Sequence, residues 1–498
     1  MNNNTLQINS PTISDVYTPL KINDKGHLSS ISKIQRIEPY PLGSRIEPYP
    51  SGSRIEPYPS GSRFLFIYLR NLYRKYLKHY SPVRSTAIWA WKNFRPIYLN
   101  FKSIHLFNST SRKEKKWRPL INLSEFSKKR NLMTHKITNT EVVNTPVPTV
   151  TPAADQSYLV SPHDQYVFPE ISVVMVENAT IYGGSNLTLV DNKVVCHDLF
   201  DATHDLTSEE LHGRALIDPK RKRIRWLSYD KEPAKLSTAA TFVDACAPNY
   251  AHWLTEVLPR IALFCTQECY NEIPIVINDG LHENILNSLF EVIGSERKVI
   301  ALPIGRAITI NKLFITSVAG YVPFGRRKEC LEHSHGAFSP GSLAVLKNHM
   351  LSMCNVVEEN KAVRHQKIFL RRNSDTRTMV NSREIEELLI EKGFVIIETD
   401  KLSFLEQVNL FNNAKQIISP TGAALANAIF CKPGTKVAVL MGKHKDMIYR
   451  YWLNILAPLQ LEISYVLGAI VKNRDLGIHG NFFIDPKDVL NLLQEMEE

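Results

Sequence analysis

The chain has 498 residues, 44% hydrophobic and 22% charged. These are ordinary globular proportions, sufficient for two or three domains. Of its 60 basic and 49 acidic residues, 24 and 8 lie within residues 1–150, leaving 36 and 41 for the rest. A slightly acidic body therefore carries a basic arm, which either stays solvated or seeks a phosphate surface. No apolar run reaches the roughly 18 residues of a spanning helix, and the start, MNNNTLQINS, lacks the basic and apolar regions of a secretory signal. The seven cysteines are irregularly spaced and form no zinc pattern, so free thiols are expected.

In chain order, the first feature is a nine-residue repeat, Arg-Ile-Glu-Pro-Tyr-Pro-x-Gly-Ser, starting at Arg36, Arg45 and Arg54. Two prolines and a glycine per unit exclude helix and predict an extended spacer, so residues 1–63 read as a disordered arm. Residues 64–161 read as a basic amphipathic and linker region. Leu65, Leu69, Leu72, Tyr73 and Tyr76 fall at helical spacing with Arg70, Arg74, Lys75 and Lys78 mostly between them. Such a helix lies on a membrane surface or packs on the body. Ala87–Trp91 and the run Arg112–Arg118 continue the basic aromatic theme, and Asn144–Ala154, rich in Thr and Pro, reads as the last linker.

From about Pro162, short apolar runs alternate with amphipathic helices, the pattern of an α/β fold. Residues 162–341 read as a Rossmann-like lobe. Its strands are expected at Ser172–Val176, Leu187–Val190, Ala239–Val243, Pro274–Ile277, Val299–Leu302 and Leu313–Thr316. Its helices include Tyr250–Thr266 and Glu283–Ile293. Residues 342–498 read as a second Rossmann-like lobe. There the helix Ser342–Cys354 precedes strands Lys367–Leu370, Val395–Glu398, Gln416–Ile418 and Lys436–Leu440, alternating with helices Ser382–Lys392, Phe404–Asn412 and Ala423–Phe430. The expected fold class is thus α/β, two Rossmann-like lobes with a central cleft, preceded by a largely irregular basic arm.

In open parallel sheets, ligands gather at the carboxyl ends of strands. After Lys367–Leu370 come Arg371, Arg372 and Arg377, whose fixed forks of donors suit a diphosphate. After Gln416–Ile418 comes Ser419-Pro420-Thr421-Gly422-Ala423-Ala424, a turn of small residues opening a helix, where free N–H groups favour an anion. In the first lobe, Asp244 follows the strand Ala239–Val243, and Asn249, His252, Glu256 and Arg260 come after it at the start of and along a helix, with His252 and Glu256 at i, i+4. His252 is placed to take a proton from an acceptor hydroxyl, oriented by Glu256 or Asp244. His333 and His335 lack a carboxylate partner at ligand spacing, and no Asp-x-Asp ends a strand in the body, so no metal site is indicated.

These residues together resemble the family 61 glycosyltransferases. The ordered matches are Asn249-Tyr250-Ala251-His252-Trp253-Leu254 with Leu258-Pro259-Arg260; Arg371, Arg372, Arg377 and Asn381; Gly393-Phe394; Ser403-Phe404-Leu405-Glu406-Gln407; and the run Gly422-Ala423-Ala424-Leu425-Ala426-Asn427 to Pro433-Gly434. The resemblance spans roughly Phe168 to Leu467. It implies a GT-B-type fold and inverting transfer from a nucleoside diphosphate sugar to a glycan acceptor, with no obligatory metal or other cofactor. It also implies a place in surface or capsular polysaccharide biosynthesis. On it, Arg371, Arg372, Arg377, Thr421, Gly422, Ala423, Asn427, Glu406 and Gln407 are expected on the donor side. Asn249, Trp253 and Arg260 are expected on the acceptor side, and His252, Glu256 and Asp244 in catalysis. Many members carry His where this chain has Thr421. The expected location is cytoplasmic and peripheral on an anionic membrane surface, with no nucleic acid partner. The competing expectations are a pseudoenzyme of the same fold that binds glycan or nucleotide, and an adaptor working through the basic arm.

Overall fold

A computed structural model describes residues 34–37, 117–159, 164–200, 208–212, 214–218, 221–226, 230, 232–323, 336–357, 366–374, 377–444, 449–471 and 480–497. The repeats beyond Ile37, the amphipathic stretch near Leu65–Tyr76, Trp89 and Trp91, most of the Arg112–Arg118 run, and His333 and His335 lie outside them. No described helix is long and apolar enough to cross a membrane. The chain is α/β, with mixed sheets, and it divides into two compact units.

The first unit takes its described residues from 34–37, 117–139 and 169–319. Strands Ile34–Arg36, Val299–Leu302, Ile275–Asn278, Ala234–Thr241 and Ala307–Thr316 pair in that order, all parallel. Val299–Leu302 and Ile275–Asn278 are buried along their whole length, as strands covered on both faces must be. The sheet then turns antiparallel where Ser172–Tyr182 joins Ala307–Thr316, and short strands extend it to 12. Both joining strands run further than the sequence predicts, which begins one at Leu313 and ends the other at Val176. Their pairing carries the alternating segments Asn178–Tyr182 and Ala307–Lys312 into the ladder.

The second unit takes its described residues from 140–168 and 320–497. Its sheet runs Val395–Ile397, Lys367–Leu370, Gln416–Pro420, Lys436–Gly442, Glu462–Ile470, all parallel. By position in the chain this is the order 2-1-3-4-5. Helices Ser382–Glu391 and Pro486–Glu497 pack together, with Ile385, Leu389, Val489 and Leu492 in one core cluster. Phe404–Asn413 packs with Pro340–Val357 and Ala423–Phe430. The stretch read as the last linker is corrected here. Thr149–Thr151 is a strand parallel to Glu462–Ile470, with Val150 and Thr151 buried, because β-branched residues suit an edge despite flanking prolines.

Two of the helices expected from the sequence depart from regular α geometry. The expected single helix Tyr250–Thr266 is α at Tyr250–His252, widens to a π turn over Trp253–Val257, and resumes as α at Leu258–Cys265. Pro259 supplies the reason: in a regular helix its ring meets the Thr255 carbonyl, and the widened turn relieves that. Ala423–Phe430 is a 3₁₀ helix. Within it, Asn427 Nδ2 donates to Ala424 O at 3.1 Å, a local bond that competes with the α ladder.

Candidate functional site

The strand order of the second unit has one reversal, between Lys367–Leu370 and Gln416–Pro420. In open α/β sheets that switch point is where ligands bind, beyond the carboxyl ends of the two strands. Here those ends carry Arg371 and Arg372 on one side and Thr421 and Gly422 on the other.

Arg372 and Gly422 are packed together. A Cβ built on Gly422 would stand 2.2 Å from Arg372 Nη1. Gly422 is extended, with φ −177°, so its glycine serves close approach rather than a left-handed turn. Arg377, from the loop after Arg372, is non-glycine at φ 54°, a conformation found at sites that need a side chain aimed against backbone preference. Its Nε is buried without a hydrogen-bond partner among the described residues. Burial lowers both guanidinium pKa values; that of Arg372 falls to about 10, with Arg377 as a second cause. Burial and mutual repulsion both disfavour this cationic pair, and a bound anion offsets both.

Arg371 is engaged differently. Its Nε and Nη2 meet Glu386 at 3.0 and 2.5 Å, and its Nη1 meets Glu398 at 2.8 Å. The Glu386 hydrogen bond leads in raising its pKa. It therefore ties the strand end to the helix Ser382–Glu391. A cavity of about 460 Å³ lies here, lined by Phe369, Arg371, Arg372, Met379, Glu386 and Pro420, among others.

The remaining residues expected on the donor side are built into the frame. Thr421 is buried and its hydroxyl accepts from Trp452 Nε1 at 3.0 Å. Asn427 donates to Gln407 Oε1 at 2.8 Å, both side chains buried, locking the 3₁₀ helix to Phe404–Asn413. Glu406 closes a capping box with Ser403. Asn381, which carries the resemblance without an expected donor role, clasps Ile484 through both backbone groups, at 2.8 and 3.2 Å. Ala423 opens the 3₁₀ helix beside Gly422.

In the first unit, His252 Nδ1 and Glu256 Oε1 are 2.5 Å apart, with side chains 15% and 8% exposed. A carboxylate at Nδ1 fixes that nitrogen as the protonated one and leaves Nε2 as the basic one. Burial pushes the Glu256 carboxyl up, against the pull of His252. The π turn holds Glu256, and such turns recur at functional sites. The Asp244 carboxylate accepts from Cys246 N at 2.8 Å and Asn186 Nδ2 at 3.4 Å, and its backbone is clamped by Asn278. Asn249 caps the helix, accepting from Ala251 N. Trp253 is fully buried and donates to Ser288 Oγ at 2.9 Å, so it is a wall of the core. Arg260 is buried over the Phe242 ring, 5.6 Å from its centroid.

Sequence reasoning missed the groups around Asp244, namely Glu209, His212, Arg214 and Cys246. It also missed Trp452 at Thr421 and Tyr451 near Arg377. Cys246 lies two residues after Asp244, inside the run that sequence reasoning singled out, whereas the others come from segments with no recognisable spacing to the motifs they meet. Among the described residues, no three His, Cys, Asp or Glu side chains group as metal ligands would.

Residues 250–438 match the model of the family described as Glycosyltransferase 61. The matched span runs from the start of the His252 helix to the strand after the Gly422 turn. No curated protein matches the chain.

Proposed function

We propose, from the premise that the chain carries a glycosyltransferase 61 domain over residues 250–438, that it is an inverting transferase working from a nucleoside diphosphate sugar. The observation that carries the reading is the close-packed Arg372 and Gly422 at the switch point, with Arg377 near Arg372. Arg372, Arg377 and the backbone of the Thr421–Ala423 turn hold the diphosphate. In the GT-B manner, the second unit takes the donor and the first takes a glycan acceptor. His252 Nε2 removes the acceptor hydroxyl proton while Glu256 holds Nδ1–H. The acceptor oxygen forms its bond to the anomeric carbon as the bond to the diphosphate breaks, and the electron pair leaves on the phosphate oxygen. Developing charge at the leaving group is the term that fixed donors stabilise most, and two arginines supply it without a metal. One displacement needs one base.

The sugar moved is a hexose or pentose, and the product belongs to surface or capsular polysaccharide. The basic arm tethers a cytoplasmic protein to the anionic inner face of a membrane. The test is a panel of UDP-, GDP- and dTDP-sugars with the full chain, reading nucleoside diphosphate release with and without glycan acceptors. Release that requires an acceptor and is lost in His252→Ala, with the fold intact, supports the reading. Transfer near wild type in His252→Ala removes His252 as the base. Binding without release assigns the chain to non-catalytic recognition.

A further inference from the structure

Thr421, the residue before Gly422, is held twice. Its backbone N–H donates to Leu440 O at 2.9 Å, in the neighbouring strand Lys436–Gly442. Its hydroxyl accepts from Trp452 Nε1 at 3.0 Å, with Thr421 4% and Trp452 3% exposed. Beyond the glycine, Leu425 N donates to Gly422 O at 3.1 Å. Gly422 is thus a residue of high backbone freedom whose flanks are tied down. A glycine that receives a ligand on its backbone binds more tightly when it is already ordered, because less freedom is lost on binding.

Trp452 is itself fixed by its helix, Arg450–Leu456. Arg450 Nη2 donates to Thr145 O and to Thr145 Oγ1, both at 2.6 Å. Asn454 Nδ2 donates to Gly336 O at 2.7 Å, and Tyr166 OH donates to Asn454 O at 3.3 Å. All of these side chains are buried. Trp452, Arg450, Asn454, Thr145 and Tyr166 lie outside the matched span 250–438. The turn at Gly422 is therefore supported from behind by a helix and a preceding segment, Thr140–Phe168, that the family match does not reach.

We infer that Trp452 is a positioning residue for the donor: its indole N–H holds the Thr421 hydroxyl and so keeps the Gly422 backbone fixed against Arg372, where turn and guanidinium meet the diphosphate together. The inference rests on the donor reading proposed above. An indole that only filled space would act through its ring, which phenylalanine largely replaces. The N–H is the part that the inference uses, and Trp452→Phe removes it.

The test is isothermal titration of UDP and GDP into the full chain, as wild type, Trp452→Phe, Thr421→Val and the double variant, with urea midpoints alongside. Each single variant is expected to weaken whichever nucleotide binds by about threefold to tenfold, the worth of one hydrogen bond. The double variant is expected to be no weaker than the weaker single one, because both remove the same bond. A merely structural Trp452 would lower the urea midpoint and leave the affinity of folded Trp452→Phe at the wild-type value, or its loss would multiply with that of Thr421→Val; either result overturns the inference. Where Trp452→Phe does not fold, Thr421→Val decides, and wild-type affinity in it overturns the inference. A wild type that binds neither UDP nor GDP removes the donor reading and the inference with it, whereas binding that the variants leave unchanged removes the inference alone.

Discussion

Gly422→Ala separates the role of a backbone position from its stability. The new Cβ would fall 2.2 Å from Arg372 Nη1 and 3.7 Å from Pro420 O. The clash is therefore with the far end of one flexible side chain, and the backbone, at φ −177° and ψ 167°, suits alanine. Stability should change by less than about 1 kcal/mol, as for an alanine in a compatible conformation. Arg372 must move by more than about 1 Å to reach ordinary contact distance, because carbon–nitrogen packing needs well over 3 Å. A displaced guanidinium loses a charge-assisted phosphate bond worth about 1.5–3 kcal/mol, a weakening of about tenfold to a hundredfold. Isothermal titration of UDP and GDP into wild type and Gly422→Ala reads the affinity, and urea unfolding reads stability. Wild-type affinity in the folded variant would refute the claim that Arg372 reads phosphate from this position. A large loss of stability would refute the claim that the contact is with a movable side chain alone.

Three further outcomes follow from the same geometry. Asn427→Ala leaves the buried Gln407 Oε1 without its donor and should lower unfolding stability by about 1–3 kcal/mol, read from urea midpoints. Arg377→Gln should weaken nucleotide binding about tenfold or more, while Arg371→Gln, whose partners are Glu386 and Glu398, should leave it close to wild type. Burial raises the Glu256 carboxyl above its ordinary 4.5, so the folded state favours the protonated form and loses stability as pH rises from 4.5 through the folded value. Glu256→Gln should therefore gain stability over wild type above that window and match it near pH 4, with transfer impaired throughout; a difference independent of pH would contradict this.

The second unit was largely legible because its signals are local. Lys367–Leu370 is a short apolar run, and Phe404–Asn413 opens with a capping box readable as Ser403 and Glu406. What the sequence hides is who meets whom. Arg371, Arg372 and Arg377 read as one cationic cluster, yet Glu386 and Glu398 claim the first, and only the sheet order brings the second to Gly422. Glu406, Gln407 and Asn427 were expected on the donor side from the resemblance, and their side chains hold the frame. The His252–Glu256 pair was readable from its i, i+4 spacing, whereas the π turn that carries Glu256 is a compromise between helix and Pro259 that periodicity does not report. The strand at Thr149–Thr151 was masked by its prolines, since its pairing partner lies over 300 residues away in sequence.

The central claim is that the turn at Gly422 with Arg372 and Arg377 binds a nucleoside diphosphate. Its most direct test is thermal shift of the full chain against UDP, GDP and CMP, since a bound ligand raises apparent stability as ln(1 + [L]/Kd). The account predicts a concentration-dependent rise with at least one nucleoside diphosphate, absent in Arg372→Gln with Arg377→Gln and preserved in His252→Gln. No rise with any nucleotide, or a rise that survives the double substitution, would contradict it.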